Sequence, residues 1–348
     1  MLALAVATLA GCGLSHPLFV STLAGDGTGG FRDGPAAHAE FDSPSAIAVD
    51  SAGDVFVADI HAPRIRMVAA GSHAVSTVAG DGKAGLRNGI ARRAEFDLPS
   101  AIAVDSAGDV YVADTRNEVI RMIAAGSHTV STLAGDGTRG FRNGPAAGAR
   151  FDAPTGVAVD AAGDVYVADS GNNRIRMIAA GSHSVSTVAG SGTAGLQDGA
   201  AHLAEFDDPV SVAVDAARNL FVADAGNERI RTISAGSRGV STLAGRGKAD
   251  FADGQAADAE FNRPLGVSVD RAGNVYVADS LNARVRVIAA GTQIVSTLAG
   301  SGTTGFADGA APSAEFRSPS SVAATASGTV YVADPLTERI RAIAGRAG

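Results

Sequence analysis

Glycines near the start of the chain form a pattern that could bind a nucleotide. The stretch Val20–Gly34, VSTLAGDGTGGFRDG, contains G-x-G-x-x-G from Gly25 to Gly30. In a dinucleotide-binding unit such glycines open a helix whose N-terminus contacts the pyrophosphate. Here the following residues predict only a single helical turn, beginning at Pro35. The same pattern recurs along the chain, at Gly80–Gly85, Gly135–Gly140, Gly190–Gly195 and Gly300–Gly305.

A nucleotide site is not built five times in one chain, so the glycines need another explanation. Glycine adopts positive φ without steric cost, which suits tight turns. We therefore interpret each Gly-rich segment as a folded-back loop between two strands. In the first of these loops, Phe31 and Phe41 are expected to pack the loop onto the neighbouring sheet.

Charged residues recur with the same regularity. The motif VAD supplies one aspartate per copy, at Asp59, Asp114, Asp169, Asp224, Asp279 and Asp334. In the third copy the motif RIR adds Arg174 and Arg176. Catalysis in a repeated structure requires residues that differ between copies, and these do not. We interpret Asp169 as a turn cap and the two arginines as structural partners of nearby carboxylates or carbonyls.

The histidines do not form a metal-ligand pattern. Three of them share one slot of separate, outward-pointing hairpins, namely His73, His128 and His183. His38 and His61 belong to the first copy, and His202 belongs to the fourth. Two neighbouring histidines do not make a catalytic zinc site, which uses three protein ligands. The sequence therefore predicts no metal site and no cofactor.

Self-similarity organises the whole chain. The segment VST[LV]AG begins every 55 residues, at Val20, Val75, Val130, Val185, Val240 and Val295. A proline before a strand keeps the same period, at Pro44, Pro99, Pro154, Pro209, Pro264 and Pro319. Six copies in unbroken register indicate one structural unit that is used six times.

Each copy predicts four short antiparallel strands. In the third copy these strands begin at Thr155, Asp164, Arg174 and His183, and small turns with Gly or Asn join them. A single four-stranded sheet would expose two apolar faces, whereas six sheets arranged radially bury those faces against one another. The predicted fold class is all-β, a six-bladed β-propeller.

The outermost repeats predict how the ring closes. A fourth-strand sequence, Phe19–Ala24, precedes the first complete copy, and the last copy contains a third strand, Glu338–Ala344, without a fourth. Pairing these two segments completes the sixth blade and covers a sheet edge that would otherwise be open.

The residues YVADSGNNRIRMI, Tyr166–Ile178, resemble the NHL-repeat family of six-bladed propellers, and the connecting segments are similar to its teneurin subgroup. The resemblance covers residues 18–348. Similar propellers include lactonases with a Glu/Asn/Asp calcium site in the channel and amidating lyases with a histidine-bound zinc. Neither ligand set is visible in this sequence. A metal-dependent enzyme of the lactonase or lyase type is therefore the alternative to a non-catalytic binding protein.

The first residues resemble a bacterial lipoprotein signal peptide. Met1–Ala10 is apolar but too short to span a bilayer, and the motif LAGC ends at Cys12. The resemblance implies cleavage before Cys12 and acylation of its sulfur. It divides the chain into a signal peptide (residues 1–11), a short tether (residues 12–17) and the propeller (residues 18–348). It also implies an extracytoplasmic protein, either lipid-anchored in the bacterial cell envelope or secreted.

The charge distribution argues against nucleic acid as a ligand and favours a ligand-binding site in one sector of the ring. A net charge of -8, no tryptophan and 5% aromatic residues provide neither a basic stripe nor stacking rings. The Gly-rich loops of the second and third copies are nevertheless basic, whereas residues 190–209 carry four carboxylates and no Lys or Arg. Guanidinium groups on exposed loops bind carboxylates or phosphates. The predicted ligand-binding residues are Arg87, Arg92, Arg93, Arg139 and Arg142.

These observations predict a monomeric, non-catalytic binding or scaffold propeller. We expect it to engage a protein, glycan or other anionic ligand through the face that carries the long loops. Membrane attachment is expected only through a lipid on Cys12.

Overall fold

The computed structural model describes residues 17–345, which form six antiparallel sheets arranged as the blades of a propeller. Blades 1 to 6 are numbered from the repeats that begin at Pro44, Pro99, Pro154, Pro209, Pro264 and Pro319. The Gly-rich loop that precedes each blade has the same number, so loops 1 to 6 are residues 25–43, 80–98, 135–153, 190–208, 245–263 and 300–318. Cys12 and the predicted signal peptide lie outside the described residues.

Each blade contains four main strands, which follow one another from the ring axis to the rim. The innermost strands are Pro44–Val49, Pro99–Val104, Pro154–Val159, Pro209–Val214, Pro264–Val269 and Ser321–Ala324. The second strands are Val55–Asp59, Val110–Asp114, Val165–Asp169, Leu220–Asp224, Val275–Asp279 and Val330–Asp334. The third strands are Arg64–Val68, Val119–Ala124, Arg174–Ile178, Arg229–Ile233, Arg284–Ile288 and Arg339–Gly345. The fourth strands are Ala74–Ala79, Thr129–Ala134, Ser184–Ala189, Gly239–Ala244, Ile294–Ala299 and, in blade 6, Leu18–Ala24.

Each sheet also has a fifth, two-residue strand at the rim, which the sequence did not predict. These strands are Gly34–Pro35, Gly89–Ile90, Gly144–Pro145, Gly199–Ala200, Gly254–Gln255 and Gly309–Ala310. Each comes from the loop that precedes its blade; in blade 1, Gly34 pairs with Val75. Two residues are too few to show the alternation that marks a strand. The long loops therefore cover part of the outer rim as well as one face of the ring.

The helical segments of the described chain are three-residue 3-10 turns. Some lie in the loops, at Ala36–His38, Ala91–Arg93, Ala146–Gly148 and Ala311–Ser313. Others follow the second strands, at Thr115–Asn117, Ser170–Asn172, Ala225–Asn227, Ser280–Asn282 and Pro335–Thr337. Within residues 17–345 no helix is long and apolar enough to cross a membrane.

The hydrophobic core lies between blades rather than within them. Between blades 1 and 2, for example, Ala58 and Ile65 pack with Val110 and Val112. Each fully buried aliphatic side chain of this size contributes about 1.5–3 kcal/mol relative to an exposed one. The sheets are thus held together by the faces that a single blade would leave exposed, which confirms the radial arrangement predicted from the repeats.

The closure predicted between the two outermost repeats is confirmed. Leu18–Ala24 pairs with Arg339–Gly345 in antiparallel register, with Phe19 opposite Ala344 and Val20 opposite Ile343. The side chain of Val20 is 2% exposed. Blade 6 therefore combines one strand from the start of the propeller with three from its end.

Removing the closing strand tests its contribution. We expect deletion of Leu18–Gly25 to leave the chain insoluble or molten, because blade 6 loses its fourth strand and the packing of Val20. Val20→Asp should lower the free energy of unfolding by about 2–4 kcal/mol through a buried charge. The measurement is urea unfolding with near-UV circular dichroism. The neighbouring Ser21→Asp, at an exposed position of the same strand, is the control. Equal stability of all variants would contradict the closed ring.

Candidate functional site

One arginine per blade is completely buried among the described residues: Arg66, Arg121, Arg176, Arg231, Arg286 and Arg341. In blade 3, Arg176 Nη1 lies 2.5 Å from Asp169 Oδ2 and donates to the carbonyl oxygen of Arg150 at 3.1 Å. Its Nη2 donates to the carbonyl oxygen of Arg142 at 3.0 Å and to Asn143 Oδ1 at 2.7 Å. The guanidinium therefore fastens loop 3 to blade 3. The structural role predicted for Arg176 is confirmed.

The partner aspartate caps the start of its own blade. Asp169 Oδ1 accepts the backbone N–H of Asp152 at 2.8 Å, and Asp169 Oδ2 accepts Asn172 Nδ2 at 2.9 Å. Burial raises the pKa of Asp169, while Arg176 and these two donors oppose the rise by stabilising the carboxylate. The carboxylate therefore works as a cap, as the sequence predicts.

The first arginine of each RIR motif joins neighbouring loops. Arg64 Cζ lies 3.8 Å above the ring of Phe31, and its Nη2 donates to the carbonyl oxygen of Asp81 in loop 2 at 2.8 Å. The ring of Phe31 is also 4.8 Å from Arg66 Cζ, which in turn lies 5.1 Å from the ring of Phe41. Guanidinium groups and rings thus alternate through four layers. Equivalent first-layer pairs are Arg174 with Phe141, Arg284 with Phe251 and Arg339 with Phe306.

The expected packing of Phe31 and Phe41 onto the neighbouring sheet is confirmed. Phe41 is fully buried, whereas Phe31 remains 44% exposed. Its ring contacts the guanidinium groups of two arginines of the third strand. Cation–π attraction of this kind retains an aromatic ring at a partly solvated position.

These arginines explain the glycine pattern. Gly27 has a φ of +91°, and a Cβ there would lie 2.2 Å from the guanidinium of Arg339. A Cβ on Gly25, whose φ is +105°, would lie 2.4 Å from the carbonyl oxygen of Glu338. Only glycine lets the loop approach the neighbouring blade this closely. The pattern therefore serves turns and loop packing, as interpreted from the sequence.

Two blades depart from the alternating stack. Blade 2 has lost both members of the first layer, with Leu86 in the aromatic slot and Val119 in the arginine slot. Blade 4 keeps Arg229 but has Leu196 in the aromatic slot. In these two blades, among the described residues, the buried Nε atoms of Arg121 and Arg231 have no hydrogen-bond partner. The missing ring therefore coincides with an altered contact one layer deeper.

The central channel offers hydroxyl and aliphatic side chains. A cavity of about 250 Å³ lies among the innermost strands. The residues that follow the repeated prolines form one of its rings: Ser45, Ser100, Thr155, Val210, Leu265 and Ser320. Their hydroxyls bind neighbouring backbone, as when Ser320 Oγ donates to the carbonyl oxygen of Ser45 at 2.7 Å. These lining residues provide no set of carboxylate or imidazole side chains that could bind the metal of a lactonase- or lyase-type enzyme.

The histidines within residues 17–345 lie at exposed turns. His61 Nδ1 is 3.3 Å from Asp42 Oδ1, and the His61 side chain is 66% exposed. His73, His128 and His183 have φ values of 53°, 49° and 50°, as residues in tight hairpins do. Within residues 17–345 no group of three or more His, Cys, Asp or Glu side chains has a metal-binding arrangement.

The predicted ligand-binding arginines are exposed, and three of them form local ion pairs. Arg87 Nη2 lies 2.7 Å from Glu95, Arg139 Nε lies 2.7 Å from Asp152, and Arg142 Nη2 lies 2.7 Å from Asp136. The two remaining arginines end a 3-10 turn and form no ion pair with other described residues: Arg92 and Arg93.

The structure brings the two basic loops together. Loop 3 meets loop 2 where Gly137 faces Leu86, since a Cβ on Gly137 would lie 4.0 Å from Leu86 Cδ2. Within loop 2, Arg87 Nη1 donates to the carbonyl oxygen of Arg93 at 3.3 Å. The guanidinium groups of Arg87, Arg92 and Arg93 therefore belong to one short surface segment.

Comparison with known proteins identifies the family. NHL repeats match residues 96–118, 151–176 and 261–288. Human NHL repeat-containing protein 2 is 30% identical over 296 residues, which cover 75% of this chain and 40% of that protein. The chain belongs to the NHL-repeat β-propellers. The Arabidopsis thaliana protein SUPPRESSOR OF QUENCHING 1, chloroplastic, is 28% identical over 317 residues, 86% of this NHL-repeat propeller and 30% of that protein. The propeller thus spans less than half the length of both relatives.

Solved structures share the fold of this NHL-repeat propeller. An auxiliary nutrient binding protein from Bacteroides thetaiotaomicron superposes with a TM-score of 0.71 at 15% identity, covering 94% of this chain and 76% of that one. A gluconolactonase from Xanthomonas campestris superposes with a TM-score of 0.62 at 12% identity, covering 96% of each chain. Identities this low establish a common architecture and no common activity.

The NHL-repeat propeller contains one irregularity that sequence reasoning missed. Comparing equivalent slots 55 residues apart shows aromatic residues at Phe31, Phe141, Phe251 and Phe306, each in a repeat whose third strand begins with arginine. Leu196 with Arg229 breaks that rule. The signal is present in the sequence, but its meaning requires the contact between loop and third strand.

Asn172 provides a test of the capped ion pair. Asn172→Ala removes a donor to Asp169 and to the carbonyl oxygen of Gly140, and should cost about 1–3 kcal/mol of unfolding free energy. Since the donor stabilises the ionised carboxylate, its loss raises the folded-state pKa of Asp169 further. The destabilisation should therefore grow as the pH rises through the folded-state pKa of Asp169, so that it is at least as large at pH 8 as at pH 5. Urea unfolding at both pH values measures it.

The exposed Ser186→Ala is the control for this change and should alter stability by less than about 0.5 kcal/mol at either pH. A cost for Asn172→Ala that is larger at pH 5 than at pH 8 would contradict a carboxylate-dependent cap.

Proposed function

We propose that this NHL-repeat propeller is a non-catalytic binding protein that recognises an anionic group of a protein or glycan partner through loops 2 and 3. One observation carries the proposal. The arginines and aspartates common to all six blades are buried in structural pairs, whereas Arg92, Arg93 and Arg139 are exposed and have no Lys or Arg in the equivalent slots of the other loops. Residues that break the repeat are the ones free to serve a ligand.

Existing ion pairs do not prevent this role. The Arg87 and Arg142 side chains are 54% and 48% exposed, and exposed pairs of this kind are worth only about 0–1 kcal/mol. A carboxylate or phosphate of a ligand can approach the exposed part of either guanidinium while Glu95 and Asp136 stay paired. Arg92 and Arg93 form no ion pair with other described residues, and two-pronged guanidinium contacts favour planar anions.

Two further observations support binding over catalysis. The residues that line the channel are aliphatic or carry hydroxyls that bind neighbouring backbone. A structure of the same fold is described as an auxiliary nutrient binding protein. The proposal includes the extracytoplasmic location and the lipid on Cys12, both of which rest on resemblance of the first residues to a lipoprotein signal peptide.

Binding to a carboxylated polysaccharide tests the ligand surface. We expect polygalacturonate, but not neutral dextran, to bind the wild-type protein in calorimetry at low salt. Binding should weaken as salt rises, because the contacts are exposed ion pairs. The triple variant Arg87→Glu, Arg92→Glu and Arg93→Glu should bind at least about tenfold more weakly, a change of about 1.4 kcal/mol.

A charge-matched variant controls for net charge. Lys248→Glu, Arg263→Glu and Arg271→Glu make the same change in total charge on exposed positions of loop 5 and blade 5. This variant should keep near wild-type affinity. Equal losses in both triple variants, or unchanged binding in the loop 2 variant, would remove the surface from consideration.

Lipidation is tested separately. Bacterial cells expressing the full chain with an alkyne fatty acid should label the wild-type protein, and Cys12→Ala should remove the label, because only the cysteine sulfur and its new amine accept acyl groups in such leaders. In-gel fluorescence measures the incorporation. Labelling that survives in the variant, or that never occurs in wild type, would refute the anchor.

A further inference from the structure

We propose that the rim between blades 4 and 5 binds an aromatic side chain of a partner polypeptide, which stacks on the guanidinium of Arg229. This site is distinct from loops 2 and 3 and does not depend on them. Blade 4 keeps the arginine of the stack without its ring.

The other blades show what this guanidinium accommodates. In blades 1, 3, 5 and 6 the first arginine of the third strand lies 3.8 to 4.0 Å from a phenylalanine of the preceding loop. Blade 2 has lost arginine and ring together. Arg229, by contrast, has Leu196 in the aromatic slot. Among the described residues, Arg229 is therefore the one arginine in this slot that has no phenylalanine stacked on it.

Arg229 is already held in the stacking orientation. Its Nη1 donates to the carbonyl oxygen of Asn227 at 3.0 Å, and its Nη2 donates to that of Arg246 at 2.8 Å. Arg284, which does stack on Phe251, makes the corresponding bonds to Asn282 at 3.1 Å and Ser301 at 2.8 Å. Bonds in the guanidinium plane leave the face that is not covered by Gly247 for a ring. An incoming ligand therefore need not order this side chain.

A cavity lies at this position. Its volume is about 600 Å³, and it is lined by Leu196, Arg229 and the end of the fourth strand of blade 4, together with Arg246 and Ala256 of loop 5. Both blades contribute walls, so a ligand here would contact two repeats at once. Pockets of a few hundred Å³ with mixed apolar and polar walls are typical of ligand sites.

The layer beneath the cavity is also incomplete. In blade 5, Arg286 contacts Asp253 through both Nε, at 3.0 Å, and Nη2, at 2.6 Å. In blade 4, Arg231 reaches Asp198 through Nη2 alone, at 2.5 Å, and its buried Nε has no partner among the described residues. Asp198 is also part of the cavity wall. The missing ring thus coincides with a changed contact of Asp198, which lines the cavity.

The size and charge of the cavity favour a polypeptide as the ligand. The volume exceeds that of a single ring, so the cavity has room for the group that carries the ring. Asp198 and Arg246, whose side chains are 46% and 53% exposed, stand beside the ring position and offer one acceptor and one donor for flanking polar groups. An aromatic anchor against arginine is also a common centre of protein–protein contacts.

Short peptides test the proposal on the full-length protein. Acetyl-Gly-Phe-Gly-amide should shift the Arg229 Nε–Hε signal saturably in ¹⁵N NMR. The same peptide with cyclohexylalanine has similar bulk but no π system, and should bind at least threefold more weakly. Equal affinities for the two peptides would overturn the stacking argument. Benzyl alcohol binding as tightly as the phenylalanine peptide would overturn the polypeptide ligand in favour of a small aromatic molecule.

Introducing a phenylalanine into the aromatic slot gives the matched variants. Leu196→Phe places the repeat's own ring against Arg229 and should reduce phenylalanine-peptide binding at least tenfold, with a melting temperature no lower than wild type. Leu86→Phe makes the same change in blade 2, where Val119 offers nothing to stack on, and should leave binding unchanged. Wild-type affinity in Leu196→Phe, or equal loss in both variants, would overturn the proposal.

Discussion

The buried arginine–aspartate pair is the contact on which the rest of this propeller depends. In blade 3, Arg176 and Asp169 are completely buried, and together they hold loop 3 and the start of the innermost strand. Burying two charges is costly, and removing one partner of such a pair destabilises a protein by about 3–5 kcal/mol. Its contribution is therefore conformational: it holds the long, glycine-rich loop in the position where the loop's carbonyl oxygens reach the buried guanidinium.

The charged residues around the ring thus fall into two groups, those that hold a blade together and those that can contact a ligand. Residues that recur in each blade are engaged in holding that blade, so ligand recognition falls to the places where copies differ. Two such departures lie on different parts of the surface. Loops 2 and 3 add exposed guanidinium groups, whereas blade 4 omits a ring from an otherwise repeated stack. The surfaces thus differ between blades while the ring stays closed.

Much of the fold and part of the site follow from the repeat. Asp169 and Arg176 could be assigned structural roles because equivalents recur every 55 residues. The fifth strand escaped prediction because Gly144–Pro145 and its equivalents are too short to show a pattern. Phe31 packs on the sheet as expected, but the sequence pattern does not show that its partners are guanidinium groups and that the ring stays partly exposed. The ion pairs of Arg87, Arg139 and Arg142 also depend on where each loop folds back.

By itself, the sequence determined the number of blades, their four main strands and the pairing of Leu18–Ala24 with Arg339–Gly345, because period and strand order are properties of the chain. Only the tertiary structure decided which arginine is buried. Arg174 and Arg176 lie two positions apart on one strand face, yet only Arg176 is covered completely. The cover comes from loop 3, more than twenty residues earlier in the chain. The cavity beside Arg229 has the same origin, since its walls belong to segments of two blades that meet only in the folded ring.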